Sequence, residues 1–261
     1  MRTMTKLPPT RECTPDREAR VNDLEILRSD FPRGKFRFVL FDFDGTLSLI
    51  REGWPQVMIP MMVDVLQATG TGESADELYR TVEDFVMRLN GKQTIYQMMQ
   101  LAEEVVKRGG TPRDPLEYKH DYHARLMVRI KGRLDALESG QAAPEDWTVP
   151  GSHDILARLG ERGLTLFLAS GTDEAFVKHE AKLLGLDRFF GDRIYGAQDN
   201  YRSFSKKMIV ERIVRENSLK GEELLGFGDG YVEIEEVRRA GGVAVAVASD
   251  EVNRRGIHAW K

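Results

Sequence analysis

The sequence predicts an α/β protein: a Rossmann-like parallel sheet core with helices on both faces, and an all-α cap domain inserted into it. Three observations carry that expectation. Phe38 to Phe41 is a continuous apolar run, as expected of a strand buried on both faces, and it ends in carboxylates. From Ser152 onward short apolar runs alternate with amphipathic stretches, the pattern that builds a parallel sheet covered on both sides. Between the two, from Trp54 to about Glu138, helical patterns follow one another with no strand signal. The expected division is a polar N-terminal arm at 1–35, an α/β core at 36–50 and 150–261, and a helical cap at 51–149.

The arm holds Pro8, Pro9, Pro15 and Pro32, and its one helical hint is Val21, Leu24, Ile26 and Leu27. The first strand then runs into FVLFDFDGTL, residues Phe38–Leu47. Helical spacing follows at Trp54–Thr69, Glu73–Asn90 and Gln93–Arg108, with stops at Gly70, Gly91 and Gly109-Gly110. A longer helix is expected from Pro115 to about Glu138, with a possible break at Gly132. The stripe Met58, Met61, Met62, Met98 and Met99 reads most simply as the apolar core of this insert. Beyond it come a helix DILARLGERG, a strand LTLFLAS, and two helices, DEAFVKHEAKLLG and KKMIVERIVRENS. The strand ELLGFGDG, helix VEIEEVRRA and strand VAVAVAS complete the pattern. The chain ends at Lys261 soon afterwards, which implies a sheet shorter by one edge strand or a fragment of a longer sequence.

Composition excludes several roles. With 38 basic and 42 acidic residues interspersed through 261, and a formal net charge of -4, no basic footprint for nucleic acid or a membrane surface is present. Cys13 is the sole cysteine, which rules out an internal disulfide and fits a reducing compartment. The N-terminal residues lack an apolar targeting core, and no stretch is long enough to span a bilayer; the expected location is the cytoplasm.

The chemistry is concentrated at strand ends. Asp42 and Asp44, one residue apart in extended backbone, point the same way, so they repel or share a cation and a proton. That division suits covalent phosphoryl transfer, in which one carboxylate attacks phosphorus and the other protonates the leaving oxygen. The alternative is a plain Asp-Gly turn. Ser170 and Gly171 close the next strand where a hydroxyl and free amides can hold phosphate oxygens, while Thr172 or Asp173 caps the following helix. Lys206 and Lys207 open a helix where the dipole disfavours cations; Lys206 is preferred as the ligand because Ile209, Val210 and Ile213 fall behind it on the buried face. Asp229 and Glu233 add acids at the same edge, and oxygen ligands without a histidine or cysteine cluster favour magnesium over zinc.

In order, FDFDGTL, FLASGT, SKK and GFGDGYVE resemble the four motifs of the haloacid dehalogenase-like hydrolase superfamily, over residues 36–250. The resemblance implies Asp42 as the nucleophile that forms an aspartyl-phosphate and Asp44 as general acid, then base. It implies that Ser170 and Lys206, with the amides of Phe43 and Gly171, hold the phosphoryl group. Magnesium would be bound by Asp42, the Asp44 carbonyl and Asp229, with Glu233 holding a coordinated water. An aspartate at position 44 favours phosphate esters, since dehalogenases and phosphonate hydrolases of the superfamily lack it. The helical insert resembles the caps of phosphoglycolate phosphatases and β-phosphoglucomutase, which close over small substrates.

The resulting expectation is a magnesium-dependent phosphatase of a small phosphorylated metabolite, with a phosphomutase, or a non-catalytic phospholigand-binding protein, as alternatives. Arg51, Trp54, Lys92 and Gln93 are candidate substrate contacts, against ordinary hinge or surface packing. His120, Asp121 and His123 share a helix face, but no further ligand accompanies them, so a second metal site is not expected.

Overall fold

The computed structural model describes residues 26–249 except 28, 29, 32 and 199. The chain divides into one unit at Met1–Phe31 and another at Pro32–Lys261, and every element below lies in the second. The helical hint at Val21–Leu27 and the segment from 250 onward fall largely or wholly outside the described residues.

Strand β1 (Phe38–Phe41) is followed by four helices, α1 (Pro55–Gln67), α2 (Ala75–Arg88), α3 (Thr94–Lys107) and α4 (Pro115–Glu138). Then come α5 (Ser152–Glu161), β2 (Thr165–Asp173), α6 (Glu174–Leu183), α7 (Asp187–Phe190) and β3 (Ile194–Ala197). The chain continues with α8 (Lys206–Glu216), β4 (Leu224–Gly228), α9 (Tyr231–Arg239) and β5 (Val243–Ala246). The five strands form one parallel sheet in the order β3-β2-β1-β4-β5, which puts β1 at its centre.

Central placement explains the unbroken apolar run. All four residues of β1 are buried. Val39 and Phe41 enter the core with Leu156, Val177 and Phe190 from α5, α6 and α7, while Phe38 and Leu40 meet Ile209, Val210, Ile213 and Val237 from α8 and α9. Successive side chains thus feed opposite faces, as the two-residue period of a strand requires. Phe41 stacks on Phe227 of β4 at 4.7 Å between ring centroids and meets the edge of Phe190 at 6.2 Å.

The insert is joined to the sheet by apolar packing as well as by its two connections. The cluster containing Val39 and Phe41 continues through Phe43, Leu47 and Ile50 to Met58, Met62, Leu101, Tyr122 and Leu126 of the helices. Met58, Met61, Met62 and Met98 are fully buried within it. Helix α2 starts with a reciprocal cap, Ser74 accepting from the Glu77 amide and Glu77 accepting from the Ser74 amide. Helix α4 opens on an Asp114 cap with Pro115 in its first turn, and it runs unbroken through Gly132.

Two details differ from the sequence reading. Strand β3 and the single-turn helix α7 lie between two helices that were expected to follow one another directly. The strand is only Ile-Tyr-Gly-Ala, too short and glycine-weakened to stand out by periodicity, and it is held by pairing with β2. Helix α6 lacks the expected side-chain cap: neither Thr172 nor Asp173 caps it, because both side chains bind elsewhere. Among the described residues no helix is long and apolar enough to cross a membrane.

Replacing Phe41 with alanine removes a ring packed between two aromatic neighbours at the centre of the sheet, and should cost about 3–5 kcal/mol of stability. Urea unfolding measures it; a loss below about 1 kcal/mol would show that β1 is not the structural centre described.

Candidate active site

Sequence-distant residues meet at the carboxyl edge of the sheet, beyond β1, β2 and β4. The backbone of Asp42 still pairs with the Phe227 carbonyl at 2.9 Å, after which the chain folds into a tight turn. The amides of Thr46, Leu47 and Ser48 all donate to the Phe43 carbonyl, and Gly45 takes a φ of 75°. A side chain at Gly45 would be strained by that φ, and its Cβ would lie 2.5 Å from an Asp229 oxygen. Thr46 braces the two loops, accepting from the Asp229 amide at 3.0 Å and donating to Asp229 Oδ1 at 3.3 Å.

Lys206 is the pivot. Its ammonium lies 2.8 Å from Asp42 Oδ1 and 2.8 Å from Glu233 Oε2, in a side chain only 3% exposed. Those carboxylates compensate for a cation at a helix start, the anomaly visible in the sequence. Burial works against the ammonium's charge, but Asp42 and Glu233 more than offset it and raise its pKa. Lys207 points away, 59% exposed, and pairs with Glu211 at 3.7 Å.

Glu233, in the first turn of α9, also accepts from the Gly230 amide at 2.9 Å. Burial opposes its ionisation, yet the Lys206 ammonium prevails and lowers its pKa. Asp42 moves the other way: burial raises its carboxyl well above the usual range, against the pull of Lys206 and with the repulsion of Glu233 and Asp229 added. Burial, then Glu233, pushes Asp229 up to about 7. Asp42, Asp229 and Glu233 each offer an oxygen within 4.8 Å of the others, the one such group of potential metal ligands among the described residues. His123 instead packs on the Phe176 ring at 4.2 Å, and Asp121 bonds Arg125.

Asp44 faces the other side of the cleft. Its Oδ2 accepts from Ser170 Oγ at 3.2 Å and from Thr172 Oγ1 at 2.8 Å, while the Thr172 amide donates to Ser170 Oγ at 3.0 Å. The second oxygen, Oδ1, is buried without a hydrogen-bond partner, with Arg51 Nε 3.8 Å away. Thr172 and Thr46 were not singled out as bracing groups, since hydroxyl residues beside a glycine read first as turn formers.

The remaining candidates are distributed unevenly. Arg51, Trp54 and Lys92 line the cleft with Gly171, and Phe43 sits between the aspartates with its ring fully buried. Arg51 is held by Glu180 of α6 through bonds of 2.6–3.1 Å. Gln93 is not among the residues lining the cleft; its amide donates to the carbonyls of Tyr201 at 3.0 Å and Phe204 at 2.6 Å, fastening the α2–α3 connection to the loop before α8. The Lys92 carbonyl in that connection packs against Gly171, leaving no room for a side chain there.

A central parallel sheet with this ordered set of acids and a lysine at its carboxyl edge is the architecture of a haloacid dehalogenase-like hydrolase. A model of that family matches residues 36–241, and the chain belongs to it. Among solved structures, the fold is similar to a predicted phosphoglycolate phosphatase from Haemophilus somnus 129PT, with 15% identity, a TM-score of 0.54, and 82% of this chain and 86% of that one covered. It is also similar to β-phosphoglucomutase from Clostridium difficile, with 13% identity, a TM-score of 0.55, and coverage of 81% and 84%. A family hydrolase from Entamoeba histolytica shows 16% identity and a TM-score of 0.54, with 82% and 85% covered. No curated protein matches the sequence.

In protein freed of divalent cations, the native state keeps a proton on Asp229 up to about pH 7, whereas an unfolded aspartate releases it near pH 4. Stability from this group is complete below about pH 4 and falls as pH rises toward and through 7. The chelated protein should therefore show a lower urea midpoint at pH 8 than at pH 5, and Asp229→Asn should flatten that slope. An identical slope in both proteins would contradict the assignment.

Proposed function

We propose that the chain is a magnesium-dependent phosphatase acting on a small phosphorylated metabolite through an aspartyl-phosphate at Asp42. The observation that carries this reading is the separation of the two aspartates: Asp42 sits with Lys206 in the acid cluster, and Asp44 is held by two hydroxyls across the cleft.

In this reading the Asp42 carboxylate attacks phosphorus as the bond from phosphorus to the leaving oxygen breaks. Asp44 gives its proton to that oxygen, and the alcohol departs. Asp44, now a carboxylate, takes a proton from water as the water oxygen attacks phosphorus, and the bond to Asp42 breaks to release inorganic phosphate. Lys206 holds the phosphoryl oxygens beside the nucleophile, and the Ser170 hydroxyl and the amides of Phe43 and Gly171 supply further donors.

The donor set suits a hard divalent cation. Three buried carboxylates face one ammonium, leaving negative charge that burial disfavours by raising the pKa of Asp42 and Asp229. Asp42, Asp229 and the Asp44 carbonyl would hold magnesium directly, and Glu233, already tied to Lys206 and Gly230, would act through a water. When bound, the ion would keep Asp42 ionised and neutralise phosphoryl charge in the transition state. The insert, 51–149, is the cap in this reading, and core segments 36–50 and 150–261 carry the chemistry. Packing of the Lys92 carbonyl on Gly171 and of Gly91 beside Glu233 supports a cap that limits access to small substrates.

With magnesium present, Asp42→Asn should lower phosphate release from an aryl phosphate by at least about a thousandfold while leaving the circular-dichroism spectrum intact. Undiminished turnover would remove the aspartyl-phosphate. By calorimetry, Asp229→Ala should weaken magnesium binding by at least about tenfold; equal affinity in variant and parent would move the metal site elsewhere.

A further inference from the structure

The side of the cleft beyond Asp44, where a leaving group would lie, contains two deep cations, and each already has its own carboxylate. Arg51 is 7% exposed and spends both Nε and Nη2 on Glu180, itself 1% exposed, with the shortest contact at 2.6 Å. Lys119 of α4, 9% exposed, lies 2.5 Å from Asp173 at the end of β2. Lys92 also lines the cleft, but it is an exposed residue rather than a deep one.

Beyond these cations and carboxylates, the cleft also offers neutral hydrogen-bonding groups. Among the described residues the Tyr122 phenol makes no hydrogen bond, although it is buried close enough to Arg51 and Asp44 to feel both charges. Thr94 and the Trp54 indole line the same space. A carboxylate or second phosphate placed here would meet no deep cation without a carboxylate partner and would face Asp44 and Asp173, an arrangement that leaves its charge poorly compensated. Hydroxyl groups would find donors and acceptors in Tyr122, Thr94 and Asp44, and the indole offers an apolar face with a polar edge.

We propose that the substrate is a phosphate monoester of an uncharged, hydroxyl-bearing alcohol, a polyol or sugar, rather than of a hydroxy acid, because each deep cation of the leaving-group side is already paired with a carboxylate of its own. This rests on the phosphatase reading above. Glu180 and Asp173 are then specificity-determining residues that act through Arg51 and Lys119.

Two matched pairs test it, glycerol 3-phosphate against 3-phosphoglycerate and glucose 6-phosphate against 6-phosphogluconate, each differing by one carboxylate, with an aryl phosphate as reference. In the parent protein kcat/KM for the neutral member should exceed that for the acid by at least about tenfold in any pair that is turned over. Glu180→Gln or Asp173→Asn unmasks one cation and should shift that ratio at least about fivefold toward the acid. Should Glu180→Gln fail to fold, the more exposed Asp173 pair carries the test alone. Equal or faster turnover of the acids by the parent, a ratio unmoved by the folded variants, or turnover of the aryl phosphate but of neither pair would overturn the proposal. Absence of turnover on every compound, the aryl phosphate included, would sink the phosphatase reading itself.

Discussion

The Lys206 ammonium, set 2.8 Å from Asp42 and 2.8 Å from Glu233, is the contact on which the rest of the edge depends. It joins the start of α8 to the end of β1 and the first turn of α9, three elements far apart in sequence. Without it, acids within 4.8 Å of one another in a buried site would repel. Removing one partner of such a buried group typically costs about 3–5 kcal/mol, because the charge left behind has no compensation. Thr46 supplies the companion brace, and Gly45 permits it by leaving space for Asp229.

The same edge explains how the insert reaches the site. Its α2–α3 connection rests on glycine backbone, with Lys92 against Gly171 and Gly91 near Gly230 and Glu233, so the close approach depends on positions without side chains. Gln93 and Lys119 fasten the insert to the core from two directions, through the loop before α8 and through Asp173. The apolar cluster shared by Phe41, Phe43, Met58 and Tyr122 fills the space beneath. The sheet edge and the insert are therefore coupled by packing as well as by covalent connection.

Much of the fold was legible in the sequence because its signals are local. The FVLF run, the alternation after Ser152 and the helical spacing from Trp54 to Glu138 each report burial on a characteristic period. Strand β3 was not, since four residues with a glycine carry too little pattern to distinguish a strand from a loop. At the site, Asp42, Asp44, Ser170, Lys206, Asp229 and Glu233 could be named in advance because each lies near or just beyond the carboxyl end of an apolar strand run or in the first turn of a helix, in a recognisable order. The structure brings these side chains to one edge. Pairings such as Arg51 with Glu180 and Lys119 with Asp173 were not legible, because partners 129 and 54 residues apart leave no periodic trace. Gln93 was read as a cleft residue by its position, but its amide is drawn to free carbonyls on the core.

The central claim is that Asp42, poised between Lys206 and the acid cluster, becomes phosphorylated during turnover. Acid-quenching the protein during steady-state hydrolysis of an aryl phosphate in magnesium, reducing the acyl phosphate with borohydride and mapping the peptides by mass spectrometry addresses it directly. The account predicts a reduced side chain at position 42 and nowhere else. Rapid turnover with that peptide unmodified, or with the modification on another residue, would contradict it.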